Sequence, residues 1–236
     1  MTARPRATAR GARTRDRILD TAERLWGERG VEGVSLREIR IGAGQRNSSA
    51  LQFHFGGRDG LLQALAERHL PRVAGIQERL YAEAVADGRR DDIAALVEVL
   101  VRPTADYLRL GPSPRAWVMV CADLASRPDV AVADVIGHAP AVALHVGTAV
   151  HEHLAATMGG PLATERIMAV TTAAHHLCAD RARAEDAAAP AAGLVRPLLP
   201  FEVWRANLLD MAVAAMTAPV RGRSPVTSRP GRPPSP

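Results

Sequence analysis

The chain of 236 residues contains no lysine; all 30 of its basic side chains are arginine. Genomic base composition accounts for that as readily as function, and no functional weight is placed on it. Only two cysteines occur, Cys121 and Cys178. They make no disulfide framework, and nothing argues for an oxidising compartment. Aromatics are 3% of the chain, so a core must be built mainly from Ala, Val and Leu, and the shortage of alternating β-branched runs favours helix over sheet. No run of about 18 apolar residues exists to span a membrane. The Arg-rich N-terminus lacks a following apolar segment, so no secretory signal is expected and a cytoplasmic protein is. There is no Gly-rich phosphate loop after a strand, no nucleophile elbow and no evident carboxylate pair, so an enzyme is not expected.

Charge is unevenly spread. Residues 1–70 carry 13 Arg against 8 acids, residues 71–218 carry 13 Arg against 17, and residues 219–236 carry 4 Arg and no acid. A basic front end on an acidic body fits a polyanion-binding module attached to something with another task. Residues 1–13 and 219–236 are compositionally disordered arms.

The most informative stretch is Ser35–Arg58. Ser35 with Glu38 three on makes a capping box, and Val34 with Ile39 a hydrophobic staple. Ala43-Gly44 permits a left-handed exit from that helix. Asn47 or Ser48 can cap a second short helix, in which Leu51 and Phe55 share one face. Two short helices about such a turn suggest a helix-turn-helix. From Thr14, the residues Ile18, Leu19, Ala22, Leu25 and Trp26 recur at helical spacing, Gly30 ends that helix, and its single apolar stripe needs the Ser35–Phe55 unit as a partner.

The pattern R-IL-TAE-LW-E-G at Arg17–Gly30, VSLREI-x3-AG at Val34–Gly44, FHF at Phe53–Phe55 and R-D-x-LL at Arg58–Leu62 resembles the DNA-binding domain of TetR-type (tetracycline-repressor-like) regulators. The resemblance covers roughly residues 14–65. It implies an all-α chain, with a three-helix DNA-binding domain at 14–70 and a helical effector-binding and dimerisation domain at 71–218. Three features depart from the family pattern. Arg40 stands where a small residue is usual, either turned to solvent or reaching phosphate. The turn Gln45–Ser49 is one residue longer, and Gln52 replaces a common tyrosine.

The DNA-contacting set follows from residue chemistry within this resemblance. With Asn47 as cap, Ser49, Gln52 and Phe53 lie opposite Leu51 and Phe55. Gln reads adenine, Ser is a tolerant reader, and Phe meets a thymine methyl or bridges helices. Arg46 and Arg37 are placed for guanine edges or phosphates, and Ser35 with the N–H groups behind it for a phosphate. Arg58 resembles the basic residue with which the family grips the backbone. His54 is either a phosphate contact or a packed histidine.

In the body, Leu61, Leu62, Leu65 and Leu70 form a helix that Pro71 kinks or breaks before Val73, Ile76 and Leu80. Helical blocks follow at Asp91–Leu110, Ser113–Ser126, Asp129–Gly137, Ala141–Met158, Pro161–Ala188 and Phe201–Thr217. Tyr107, Trp117, Met119, Val120, Cys121 and Leu124 are candidates to line an effector pocket, with Arg102 or His145 as polar anchors; all would serve equally as core. The band Ile167, Val170, Ala174, Leu177 and the band Trp204, Leu208, Met211, Ala215 read as a four-helix dimer interface, or as faces turned to the subunit's own core. His151 and His153 diverge by about 200° round a helix, His175 and His176 are adjacent, and His69 reads as a partly exposed packed residue, so neither metal nor cofactor is expected. The expectation is a homodimeric operator-binding repressor released by a small-molecule effector; the alternative is a helical effector-binding or scaffold protein without specific DNA recognition.

Overall fold

The computed structural model describes residues 9–47, 49–127, 139–187 and 198–220. Among these residues every regular element is a helix. They are α1 (Ala9–Arg29), α2 (Leu36–Gly42), α3 (Ala50–Phe55), α4 (Arg58–Ala86), α5 (Ile93–Leu108), α6 (Pro112–Ala125), α7 (Ala141–Met158), α8 (Gly160–Asp186) and α9 (Phe201–Thr217). The expected block at Asp129–Gly137, the arm before residue 9 and the tail from 221 lie outside the described residues.

Helix α1 begins five residues before the expected Thr14, so residues 9–13 continue the helix and are not a separate arm. Its apolar stripe of Ile18, Leu19, Ala22 and Trp26 is buried together with Val31, Val34, Ile39 and Leu51, which is the small core of the N-terminal head. Val34 and Ile39 are both fully buried, closing the staple over the start of α2. Chain reversal at Gly44 uses a left-handed backbone, φ +65°, which glycine adopts without strain.

Helix α4 joins head to body without a break. Pro71 lies inside it, so the expected boundary between residues 70 and 71 falls within one continuous helix. Pro71 is on the exposed side of the helix, the least costly place for a missing backbone donor. In the body, α5 packs between α4, α7 and α9, and α8 lies against α6, α7 and α9. The core is Val-, Leu- and Ala-rich with Tyr107, Trp117 and Phe201 as its large members.

The head is seated on the body along α1 and α6. Gly27 makes that approach possible: a Cβ there would sit 3.0 Å from the backbone of Ala116. Beyond it, Asp123 of α6 accepts a hydrogen bond from the Val31 N–H at 2.9 Å, and Arg127 pairs with Glu32 at 2.8 Å. A buried polar cluster completes the seam. Glu23 of α1 accepts from Ser113 Oγ of α6 at 2.6 Å and from Arg68 of α4 at 3.0 Å. His69 Nε2 lies 3.1 Å from the same carboxylate, while its Nδ1 is 2.7 Å from the Tyr107 hydroxyl and its ring stacks on Trp117. His69, expected partly exposed, is therefore buried, because it is the link between α1, α5 and α6.

Candidate nucleic-acid interface

Helix α2 is fixed at its start by the capping box. Glu38 Oε2 accepts from the Ser35 N–H at 2.9 Å and from Ser35 Oγ at 2.7 Å, while the Glu38 N–H donates to Ser35 Oγ at 3.2 Å. Arg29 adds a pair to Glu38 at 2.9 Å. The Ser35 N–H above all, then the Ser35 hydroxyl and the Arg29 guanidinium, hold the Glu38 carboxyl down to about 2. An internal carboxylate thus occupies the place expected for a phosphate at Ser35, so that contact competes with an existing one.

The turn between α2 and α3 is closed by backbone bonds and by side chains of α2 and of the turn itself. Arg40 Nη1 donates to the carbonyls of Gln45 at 2.7 Å and Arg46 at 3.1 Å. Gln45 Nε2 donates to the Ala43 carbonyl at 3.1 Å. Asn47 Oδ1 accepts from the Ser49 N–H at 3.0 Å and Ser49 Oγ at 2.8 Å, an Asx turn that leads into α3 at Ala50. Asn47 does not cap the helix as expected: the N-cap is Ser49, which makes no side-chain cap hydrogen bond, and Asn47 instead shapes the Asx turn just ahead of it. Ser48 lies outside the described residues.

Helix α3 has one anchored face and one presented face. Leu51 is buried and Phe55 half-buried, with the Arg15 guanidinium 5.2 Å above the Phe55 ring. Ser49, Gln52 and Phe53 point outward, Phe53 with 82% of its surface exposed. A phenyl ring so exposed on a two-turn helix leaves an apolar surface ready for another apolar group, such as a methyl. His54 is half-buried between Phe53 and Phe55, with ring centres 5.2 and 6.2 Å away. Arg37 and Arg46 are exposed, and neither guanidinium makes a hydrogen bond or ion pair with another described residue.

Arg58 departs from the sequence expectation. Its guanidinium donates to the carbonyl of Val31 and, at 3.1 Å, to that of Val34, and it lies 6.0 Å from the Trp26 ring centre. It closes the connection between α1 and α2 from within and is not turned out toward a backbone phosphate. Position in the motif marked it as a cation at a helix start; only the folded chain brings the Val31 and Val34 carbonyls, 27 and 24 residues earlier, within its reach.

The expected effector-lining residues are not gathered round one cavity. Tyr107, Trp117, Met119 and Val120 are buried in packed core, and Cys121 and Leu124 are half-buried. His69 fills the space between Tyr107 and Trp117 that a ligand would need. Arg102 spends its charge on Glu98 at 2.7 Å and Asp106 at 3.0 Å, beside a cleft of about 40 Å³. His145 is exposed and pairs with Tyr81 at 2.9 Å. A larger groove, about 290 Å³, runs elsewhere, along α4 at Gln63, Glu67, Leu70, Pro71 and Ala74 to Pro140. Burial pushes the Cys178 thiol up to about 12, which leaves it unreactive. Of the expected dimer residues, Ala174 and Leu208 are buried in the chain's own core, because α8 and α9 pack on each other and on α5 and α6. Ile167, Val170 and Trp204 are half-buried, and Leu177, Met211 and Ala215 face outward.

A capped helix, a tight turn and a second helix that holds its apolar face inward while it presents a polar and aromatic one define the class: a helix-turn-helix DNA-binding head on a helical body. Residues 18–65 match the model of the bacterial regulatory proteins of the tetR family. That match covers the N-terminal head, which is thus similar to the family's DNA-binding domain and implies a DNA-binding transcriptional regulator. No curated protein matches it.

Proposed function

We propose that the protein is a sequence-specific, homodimeric operator-binding repressor of the cytoplasm, released from DNA by a small-molecule effector. The observation that carries the DNA part is the division of α3: Leu51 and Phe55 hold it to the head while Ser49, Gln52 and Phe53 face outward beside the exposed Arg37 and Arg46. Gln52 offers a bidentate pair for adenine and the two arginines suit guanine or phosphate. Dimerisation is supported by the outward apolar residues Met168, Leu177, Val203 and Met211 on α8 and α9. Two heads would then meet successive major grooves about 34–36 Å apart. An effector would act by preferring the conformation that does not fit DNA, since a ligand moves an equilibrium only by its differential affinity.

Selection from a pool of random duplexes by the full-length protein tests this reading. The expected product is an inverted repeat. Recovery of duplexes with no common sequence at physiological salt would sink specific recognition, and a single unrepeated half-site would count against the dimer.

A further inference from the structure

The turn between α2 and α3 decides where the presented face of α3 points, and its backbone is held from an unusual quarter. A carbonyl in a tight turn needs a donor, from the backbone, a side chain or solvent. The Ala43 carbonyl takes the Gln45 amide, the Asn47 carbonyl takes the Ala50 N–H, and the Arg40 carbonyl takes the Gln45 N–H. The Gln45 and Arg46 carbonyls are both served by one nitrogen, Arg40 Nη1. Arg40 stands in the last turn of α2, half-buried, and its guanidinium spans from that helix to the last residues before the Asx turn that starts α3. Behind the turn, Gly44 lies under the Arg17 guanidinium, so that a Cβ there would meet Arg17 Nη2 at 2.6 Å. Arg40 therefore holds the turn by hydrogen bonds on one side, and Arg17 lies close against it on the other.

We infer that Arg40 is a positioning residue that sets the pose of the recognition helix α3, through the carbonyls of Gln45 and Arg46, without touching DNA. This rests on the proposed DNA recognition for its consequence, though not for its geometry. A charged donor shared by two carbonyls fixes both more firmly than solvent would, and pre-orders the helix start before DNA arrives. Its loss leaves the apolar anchors Leu51 and Phe55 in place, so the head stays folded while α3 gains freedom to tilt and slide.

The test uses the full chain, the duplex it selects, and a scrambled duplex of the same composition. Arg40→Ala is expected to melt as cooperatively as the parent and to bind the selected duplex about tenfold or more weakly. Its affinity for the scrambled duplex should stay within about twofold, and the slope of log affinity against log salt should not change, because no phosphate contact is lost. Arg40→Lys keeps a charged donor for the same carbonyls and is expected to recover part of the loss. Arg40→Gln, a milder change, provides the same comparison if the alanine variant does not fold. Equal loss on both duplexes with a slope lower by about one would make Arg40 a phosphate contact and overturn the inference, as would undiminished affinity for the selected duplex. Should the parent select no duplex, the DNA reading fails by itself. Amide exchange in the free protein then decides the role of Arg40. Faster exchange over residues 45–55 in Arg40→Ala, with α1 and α4 unaffected, supports it as the holder of the turn; unchanged exchange there refutes it.

Discussion

The seam between head and body and the presented face of α2–α3 are built from the same residue types used in opposite ways. At the seam, Glu23 takes the Ser113 hydroxyl and the Arg68 guanidinium, His69 Nδ1 meets the Tyr107 hydroxyl, and Asp123 takes the Val31 N–H. On the presented face, Arg37 and Arg46 are exposed and unpaired among the described residues, Gln52 is exposed with its amide donating to the Gly56 carbonyl at 3.3 Å, and Phe53 keeps most of its surface open. Arg58 and Arg40 fall on the inner side of that divide although they lie within the motif, since both donate to main-chain carbonyls. The difference teaches that cationic character and motif position do not identify a DNA contact. What distinguishes one is a charge that the folded chain has not already used. Substitutions at the seam should then change stability with little direct effect on DNA, and substitutions on the face the reverse.

The largest effect is expected from Glu23→Ala. Burial acts to raise the pKa of Glu23, but the His69 and Ser113 bonds and the His69 and Arg68 charges outweigh it and keep the carboxyl below its usual value. A carboxyl depressed by folding adds stability above the unfolded pKa, and that contribution is lost as pH falls through the folded one. Removing the carboxylate leaves buried partners unpaired, and urea unfolding should show a loss of about 3 kcal/mol. A midpoint within error of the parent would show that the seam is not held by this cluster.

Next comes Arg58→Ala, which strips donors from the carbonyls of Val31 and Val34. It should lower stability by about 1–3 kcal/mol while leaving the salt dependence of DNA binding unchanged. An unchanged melting temperature with a salt slope lower by about one would place Arg58 back on a phosphate. On the other side, Arg37→Ala should leave the melting temperature alone and relax preference at one base pair of the operator, costing about 1–3 kcal/mol in binding. Weakening spread evenly over all sequences would contradict base reading there.

The smallest effect is at the cap of α2. Ser35→Ala should destabilise by about 1 kcal/mol in thermal unfolding at neutral pH. Glu38 contributes to this cap above its unfolded pKa of 4.5, and its share fades as pH falls from there toward about 2. The gap between Ser35→Ala and the parent should therefore narrow over that acid range; a constant gap would show that Glu38 does not act through the cap.

Much of this architecture is local and could be read without coordinates. The capping box at Ser35, the staple of Val34 and Ile39, the bounds of α7 and α9, and the inward face of Leu51 and Phe55 depend on spacings of a few residues. The candidate site divides differently. Outward placement of Ser49, Gln52 and Phe53 follows from helical periodicity once Leu51 and Phe55 are inward. The roles of Arg40, Arg58 and His69 do not, because each depends on which carbonyl or ring lies within a few ångströms after folding. That the expected effector residues are not gathered round one cavity has a related reason: an apolar side chain on a helix reads the same whether it fills space or lines it.

The amino-acid sequence by itself determined a helical chain, a helix-turn-helix head and the identity of its presented side chains, since caps, turns and apolar periods are near-neighbour physics. Tertiary structure alone decided which polar groups were already spent. Contacts such as Val31 with Asp123 or His69 with Tyr107 join residues 92 and 38 positions apart, and no local pattern encodes which distant donor will meet which acceptor. The seam of Glu23 and His69, the inward turn of Arg58 and the grip of Arg40 on the turn before α3 are the outcome of that pairing.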